Sequence, residues 1–77
     1  MKIEILGTGC AKCKRLEENT RKAVEELGID AEIAKIEDIS EISTRGVMMT
    51  PALAIDGKTK SKGELLNTEQ IKELIQS

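Results

Sequence analysis

Apolar and charged residues alternate at the start of the chain. Lys2, Ile3, Glu4, Ile5 and Leu6 make a pattern that predicts a short strand. Gly7-Thr8-Gly9 then reads as a loop, with permissive glycines beside the first cysteine. From Cys10 the period lengthens: Cys13, Leu16, Thr20, Ala23, Val24 and Leu27 fall on one helical stripe, and charged residues fill the remaining positions. Glu17–Arg21 and Glu18–Lys22 are i,i+4 pairs in the favourable order. Gly28 is a natural stop.

AEIAKI, residues 31–36, predicts a second strand. Strand, helix and strand in succession form a βαβ unit, which implies parallel pairing with the helix across one face. Asp38 with Glu41 reads as a capping box opening a short helix that carries Ile39 and Ile42 and closes at Gly46. In the second half, PALAI and KTKSK flank Asp56-Gly57, the strongest short signal for a two-residue hairpin turn. The lysines at 58, 60 and 62 suit an exposed edge, where charge discourages further pairing. Asn67 or Thr68 opens a last helix with Ile71, Leu74 and Ile75 inward. The predicted order is β-α-β-α-β-β-α.

The length of 77 residues fits one domain, 1–77. A domain this small buries only roughly 60% of its unfolded surface. The chain has no aromatic residue, so its core is Ile, Leu, Val, Ala and Met. Twelve basic residues stand against 14 acidic ones, a net charge of -2. That balance offers no footprint for nucleic acid and no basic face for anionic lipid. The apolar start is too short for a signal peptide, and no stretch approaches the ~18 apolar residues of a membrane span. The expected setting is the cytoplasm, with no membrane partner. Two cysteines in such a reducing compartment point to catalysis or metal binding rather than a permanent bridge.

Those cysteines, Cys10 and Cys13, are the only two in the chain. At i and i+3 on a helix their Cβ atoms lie about 5–6 Å apart, so a small adjustment closes a disulfide. Cys13 lies on the apolar stripe and is expected to be buried. Cys10 precedes the helix and is expected to be exposed. A thiolate at Cys10 faces the unpaired N–H groups and positive end of the helix dipole. Lys12, Lys14 and Arg15 add positive charge nearby, and such surroundings lower cysteine pKa values. The same cations oppose the dipole, a local conflict typical of functional sites. Zinc normally takes four cysteine or histidine ligands; with no histidine here, a closed zinc site would need carboxylates. A two-thiolate copper(I) site stays open, and so does a non-catalytic binding module. A structural disulfide this short closes almost no loop and stabilises little. Dithiol–disulfide exchange is the favoured reading.

The first strand leading into GCAKC at a helix start, the order of elements, and MTPALAIDGK (49–58) make the chain resemble the thioredoxin superfamily. GTGCAKC, ELGIDAEI, TPALAIDGK and KGELL are similar to the small, glutaredoxin-sized, redox-active disulfide proteins of archaea and bacteria. The resemblance implies a minimal thioredoxin fold: α/β, with a four-stranded mixed sheet and three helices. It also implies a cis Thr50–Pro51 bond packed against the cysteines, where the local sequence alone reads Pro51 as a strand-opening proline. The pattern departs from typical thioredoxins, which carry tryptophan before the first cysteine and Gly-Pro between the pair. Gly9 and Ala11-Lys12 stand here instead. Typical glutaredoxins place tyrosine in the pair and hold glutathione with a glycine motif; this chain has no tyrosine, and Gly63-Glu64 is only a fragment of that motif.

The expected function is therefore a dithiol–disulfide oxidoreductase acting on protein disulfides. Cys10 is the expected nucleophile and Cys13 the resolving thiol, with Lys12 helping to stabilise the Cys10 thiolate. Thr50 and Pro51 shape the groove, the Thr50 backbone pairing with an extended client. Met48 and Met49 read as one core residue and one residue at an adaptable apolar lip, with Met49 at the substrate. No dissociable cofactor or metal is expected, because the electrons reside in the cysteines. The implied partners are protein disulfides and an electron donor of the flavin-dependent thioredoxin-reductase type, acting on a monomer.

Overall fold

The computed structural model describes residues 1–76. Its elements are β1 (Lys2–Leu6), α1 (Ala11–Leu27), β2 (Glu32–Ile36), α2 (Ile39–Thr44), β3 (Ala52–Ile55), β4 (Lys58–Lys62) and α3 (Thr68–Gln76). The order is the one the sequence pattern predicts, with β2 starting one residue later. The four strands form one mixed sheet in the order β2-β1-β3-β4. β1 and β2 are parallel, joined by α1. β3 runs antiparallel to β1 and to β4. This is an α/β minimal thioredoxin fold.

Two positions fix the hairpin between β3 and β4. Asp56 and Gly57 both have positive φ, 49° and 85°, which a tight turn matched to strand twist requires. The Asp56 side chain also accepts the Lys2 N–H at 2.8 Å, tying the turn to the start of β1. A register shift between Leu53 and Ala54 bulges β4, and its three lysines are exposed. Both features blunt that edge.

The sheet has apolar residues on both faces. Ile3, Ile5, Leu53 and Ile55 pack with Leu16 of α1 and Ile71 and Ile75 of α3. Leu6, Ala52 and Ala54 pack with Ile42 and Val47 on the other face. Glu4, whose pattern reads as solvent-facing, is instead buried on the central strand. Arg45, just past α2, donates Nη1 to Glu4 Oε1 at 2.8 Å and Nη2 to Oε2 at 2.7 Å. This two-pronged bond lowers the Glu4 pKa against the opposing effect of burial.

On the six-residue α2, Ile39 is 70% exposed and Ile42 is buried. Two local expectations are corrected. The capping box at α2 is one-sided: Asp38 accepts from Ser40 N–H at 2.8 Å, while Glu41 reaches toward Arg45 at 3.5 Å. The reciprocal box occurs at α3, where Asn67 caps Gln70 N–H at 2.8 Å and Gln70 returns to Asn67 N–H at 2.9 Å. Glu17 meets Arg21 at 2.9 Å and Lys35 at 3.7 Å, whereas no Glu18–Lys22 pair forms among the described residues.

Candidate active site

β1 ends at Leu6, and Gly7 continues its ladder by donating to Ile36 C=O at 2.9 Å. Gly9, at φ +86°, then turns the chain and delivers Cys10 to the N-cap of α1. Cys10 is extended, φ -68° and ψ 169°. Its Sγ accepts the Cys13 N–H at 3.2 Å, and its C=O accepts from Lys14 N–H at 3.0 Å. The sulfur thus occupies the capping position where Ser or Asp oxygens usually satisfy a free N–H. Cys10 and Cys13 are disulfide-bonded, their Cα atoms 5.0 Å apart. Cys10 is exposed, and Cys13 is 4% exposed. The stripe that carries Cys13 and Leu16 into the core separates the two sulfurs in this way.

The Thr50–Pro51 peptide bond is cis. Pro51 is fully buried, and its C=O accepts from Gly63 N–H at 2.8 Å. Thr50 is exposed and makes no hydrogen bond within the chain among the described residues. Pro51 lies near the cysteines: a Cβ built on Gly7 would fall 3.2 Å from Cys13 Cβ and 3.8 Å from Pro51 Cα.

Met48 and Met49, expected to divide between core and surface, are 88% and 63% exposed. The connection between α2 and β3 buries Val47 and leaves both methionines outside. Met49 lies against Gly63, where a Cβ would come within 3.0 Å of its Cε. Met48 borders a groove of about 300 Å³ with Thr8, Ile39, Ile42, Val47 and Thr50. Ile39 and Thr8 belong to this groove, and the sequence pattern did not single them out.

Lys12 is exposed, and its side chain makes no hydrogen bond or ion pair among the described residues. The same holds for Arg15. α1 has no acidic residue in its first turn; the nearest carboxylate on the loop side is that of Glu37, whose Oε2 would lie 3.3 Å from a Cβ built on Gly9. A second, smaller pocket of about 40 Å³ reaches Cys13, lined by Ile5, Gly7, Gly9, Glu17, Lys35 and Glu37 among others. It has room for water.

Over residues 1–76 the chain matches the thioredoxin domain family. It is 49% identical over 75 residues to a thioredoxin of Methanothermobacter thermautotrophicus, covering 97% of each chain. Identity to a thioredoxin of Methanocaldococcus jannaschii is also 49% over 75 residues, covering 97% of this chain and 86% of that one. Sequence likeness across nearly the whole length agrees with a fold that sets a cysteine pair at a helix start beside a buried proline, and the chain belongs to the thioredoxin family.

Proposed function

We propose that this protein reduces protein disulfides by dithiol–disulfide exchange at Cys10 and Cys13, as a single cytoplasmic domain acting as a monomer. The observation that carries this reading is the inequality of the two sulfurs: one exposed at the α1 N-terminus, accepting a backbone N–H, and one buried behind it. The Cys10 thiolate attacks a client disulfide, and the first client sulfur leaves as a thiolate. Cys13 then attacks Cys10 Sγ, the internal disulfide forms, and the second client sulfur departs. Two electrons have moved to the client. The open Thr50 backbone pairs with an extended client segment beside Pro51, and Met49 provides an adaptable apolar contact. Lys12 adds through-space stabilisation to the Cys10 thiolate. A reductase of the flavin-dependent thioredoxin-reductase type returns the electrons, a partner class supported by the likeness to named thioredoxins.

The test uses single-cysteine variants against a model protein disulfide. Cys10→Ser abolishes reduction. Cys13→Ser forms a mixed disulfide and does not release it, which also traps natural clients from cell extract. In reduced wild type, Cys10 alkylates much faster than Cys13. Equal alkylation rates would overturn the assignment of the two sulfurs, and stoichiometric zinc or copper(I) that survives chelation would replace this reading with a metal carrier.

A further inference from the structure

We propose that Gly7 is a positioning residue for the resolving sulfur, the absence of its side chain forming the socket that holds Cys13 Sγ. The proposal rests on the exchange reading above and assigns that site a residue beyond the cysteine and proline motifs. Five other glycines, at 9, 28, 46, 57 and 63, have positive φ; Gly7 does not. Its backbone lies in a conformation that any residue adopts, and its N–H continues the β1–β2 ladder. Backbone freedom therefore gives no reason for glycine here. Space does. A Cβ at this position would collide with Cys13 Sγ and sit 3.2 Å from Cys13 Cβ, closer than side-chain carbons normally pack.

The sulfur has little room to give way. Pro51 is fully buried, with its Cα 3.8 Å from the same Cβ position. The space adjoining both Gly7 and Cys13 is the small pocket shared with Glu17, Lys35 and Glu37. A methyl group at position 7 drives Sγ toward that pocket. Cys10, exposed at the helix start, is not among the nearest atoms such a methyl would meet. The two halves of the reaction should then separate. Capture needs only Cys10: its thiolate bonds to a client sulfur, and the other client sulfur leaves with the electron pair and takes a proton from solvent. Release needs Cys13 placed in line: its thiolate bonds to Cys10 Sγ as the Cys10–client bond breaks.

In Gly7→Ala, Cys10 alkylation and client capture should stay within about twofold of wild type. Release should fall about tenfold to a hundredfold, the scale of a misplacement near 1 Å, so mixed disulfide accumulates. In the reduced variant, Cys13 should alkylate at least about tenfold faster, because the displaced sulfur meets solvent. That readout needs no client and stays informative even if the exchange reading fails, in which case wild type itself would not reduce the client. The double variant Gly7→Ala/Cys13→Ala separates socket from scaffold. The loss of stability caused by Gly7→Ala should be clearly smaller once the sulfur is gone, and if Gly7→Ala alone does not fold, the double variant should. Equal loss in both backgrounds, failure of both to fold, or a folded Gly7→Ala with wild-type Cys13 alkylation and release would overturn the proposal.

Discussion

The two faces of the sheet are built from different material. Under α1 and α3, helices of 17 and 9 residues, β1 and β3 present isoleucine and leucine, and Leu16 and Ile71 are fully buried against them. Under α2, a helix of six residues, β3 presents only alanines, and β1 presents Leu6 and the charged Glu4. There a bidentate ion pair with Arg45 stands where apolar bulk would otherwise go. The long helices supply area, and area supplies most of the stability. The short helix cannot cover its face, so Ile39 and Met48 stay outside and form the groove beside Thr50. One face holds the buried sulfur in place. The other carries the open groove.

Truncation of the apolar face should have the largest effect. Leu16→Ala, one turn beyond Cys13, should cost about 2–5 kcal/mol, a large share of the roughly 5–15 kcal/mol that holds a domain folded. Ile42→Ala on the other face should fall at the low end of that range, because Ile42 borders an open groove that solvent can fill. Urea unfolding of both variants measures the difference. Equal losses would mean the faces contribute alike.

The ion pair gives the thin face a pH signature. Hydrogen bonding and charge from Arg45 lower the Glu4 pKa, and burial only partly offsets them. A carboxylate with a depressed folded pKa stabilises the fold above the ordinary glutamate value, about 4.3. That contribution disappears as pH falls through the folded value. Glu4→Gln should therefore remove part of the acid-induced loss of stability. Arg45→Met should reverse the sign: burial then raises the Glu4 pKa, and the variant gains relative stability as Glu4 protonates. Replacing both by apolar residues should cost far less than breaking the pair. Unfolding midpoints between about pH 3 and pH 7, which brackets the range where glutamates titrate, read all three outcomes.

Recognition should track the groove and not the core. Ile39→Ser with Met48→Ser should raise the KM for a protein disulfide about tenfold, about 1.4 kcal/mol of lost binding. Both side chains are largely solvent-exposed, so stability should change by no more than about 0.5 kcal/mol. A large loss of stability with unchanged KM would break the division between the faces.

Wherever one element's own residues determine its structure, the pattern was readable. The stripe from Cys13 to Leu27 needs only a 3.6-residue period, and the β3–β4 turn needs only Asp56-Gly57. Glu4 was not readable, because its partner Arg45 lies 41 residues away and alternation alone places Glu4 in solvent. Asp38-x-x-Glu41 matched the capping pattern, but Arg45 competes for Glu41. At Asn67-x-x-Gln70 the box closes. Gly7 and Gly9 looked alike as loop glycines. Only Gly9 has the positive φ that needs glycine, and the reason for Gly7 is a sulfur six residues later.

The smallest expected effect concerns the two caps, one on each face. Asn67 and Gln70 satisfy each other's backbone N–H groups at the start of α3, and Ile71 immediately beyond is fully buried in the larger core. Fraying of that end therefore disturbs packing shared with α1, and Asn67→Ala should lower global stability by about 1 kcal/mol. Asp38 satisfies one N–H, that of Ser40, on a helix whose buried contribution is Ile42. Loss of that cap should loosen α2 locally while the sheet and the two longer helices stay folded. Asp38→Ala should accordingly leave the urea midpoint almost unchanged and speed amide exchange at Ile42 and Arg45, whose N–H groups bond to Asp38 and Glu41 carbonyls. Asn67→Ala should shift the midpoint and raise exchange across α3 and α1 together. If Asp38→Ala instead lowers the midpoint as much as Asn67→Ala, α2 belongs to the same cooperative unit as the larger core, and the thin face is as much a part of the scaffold as the thick one.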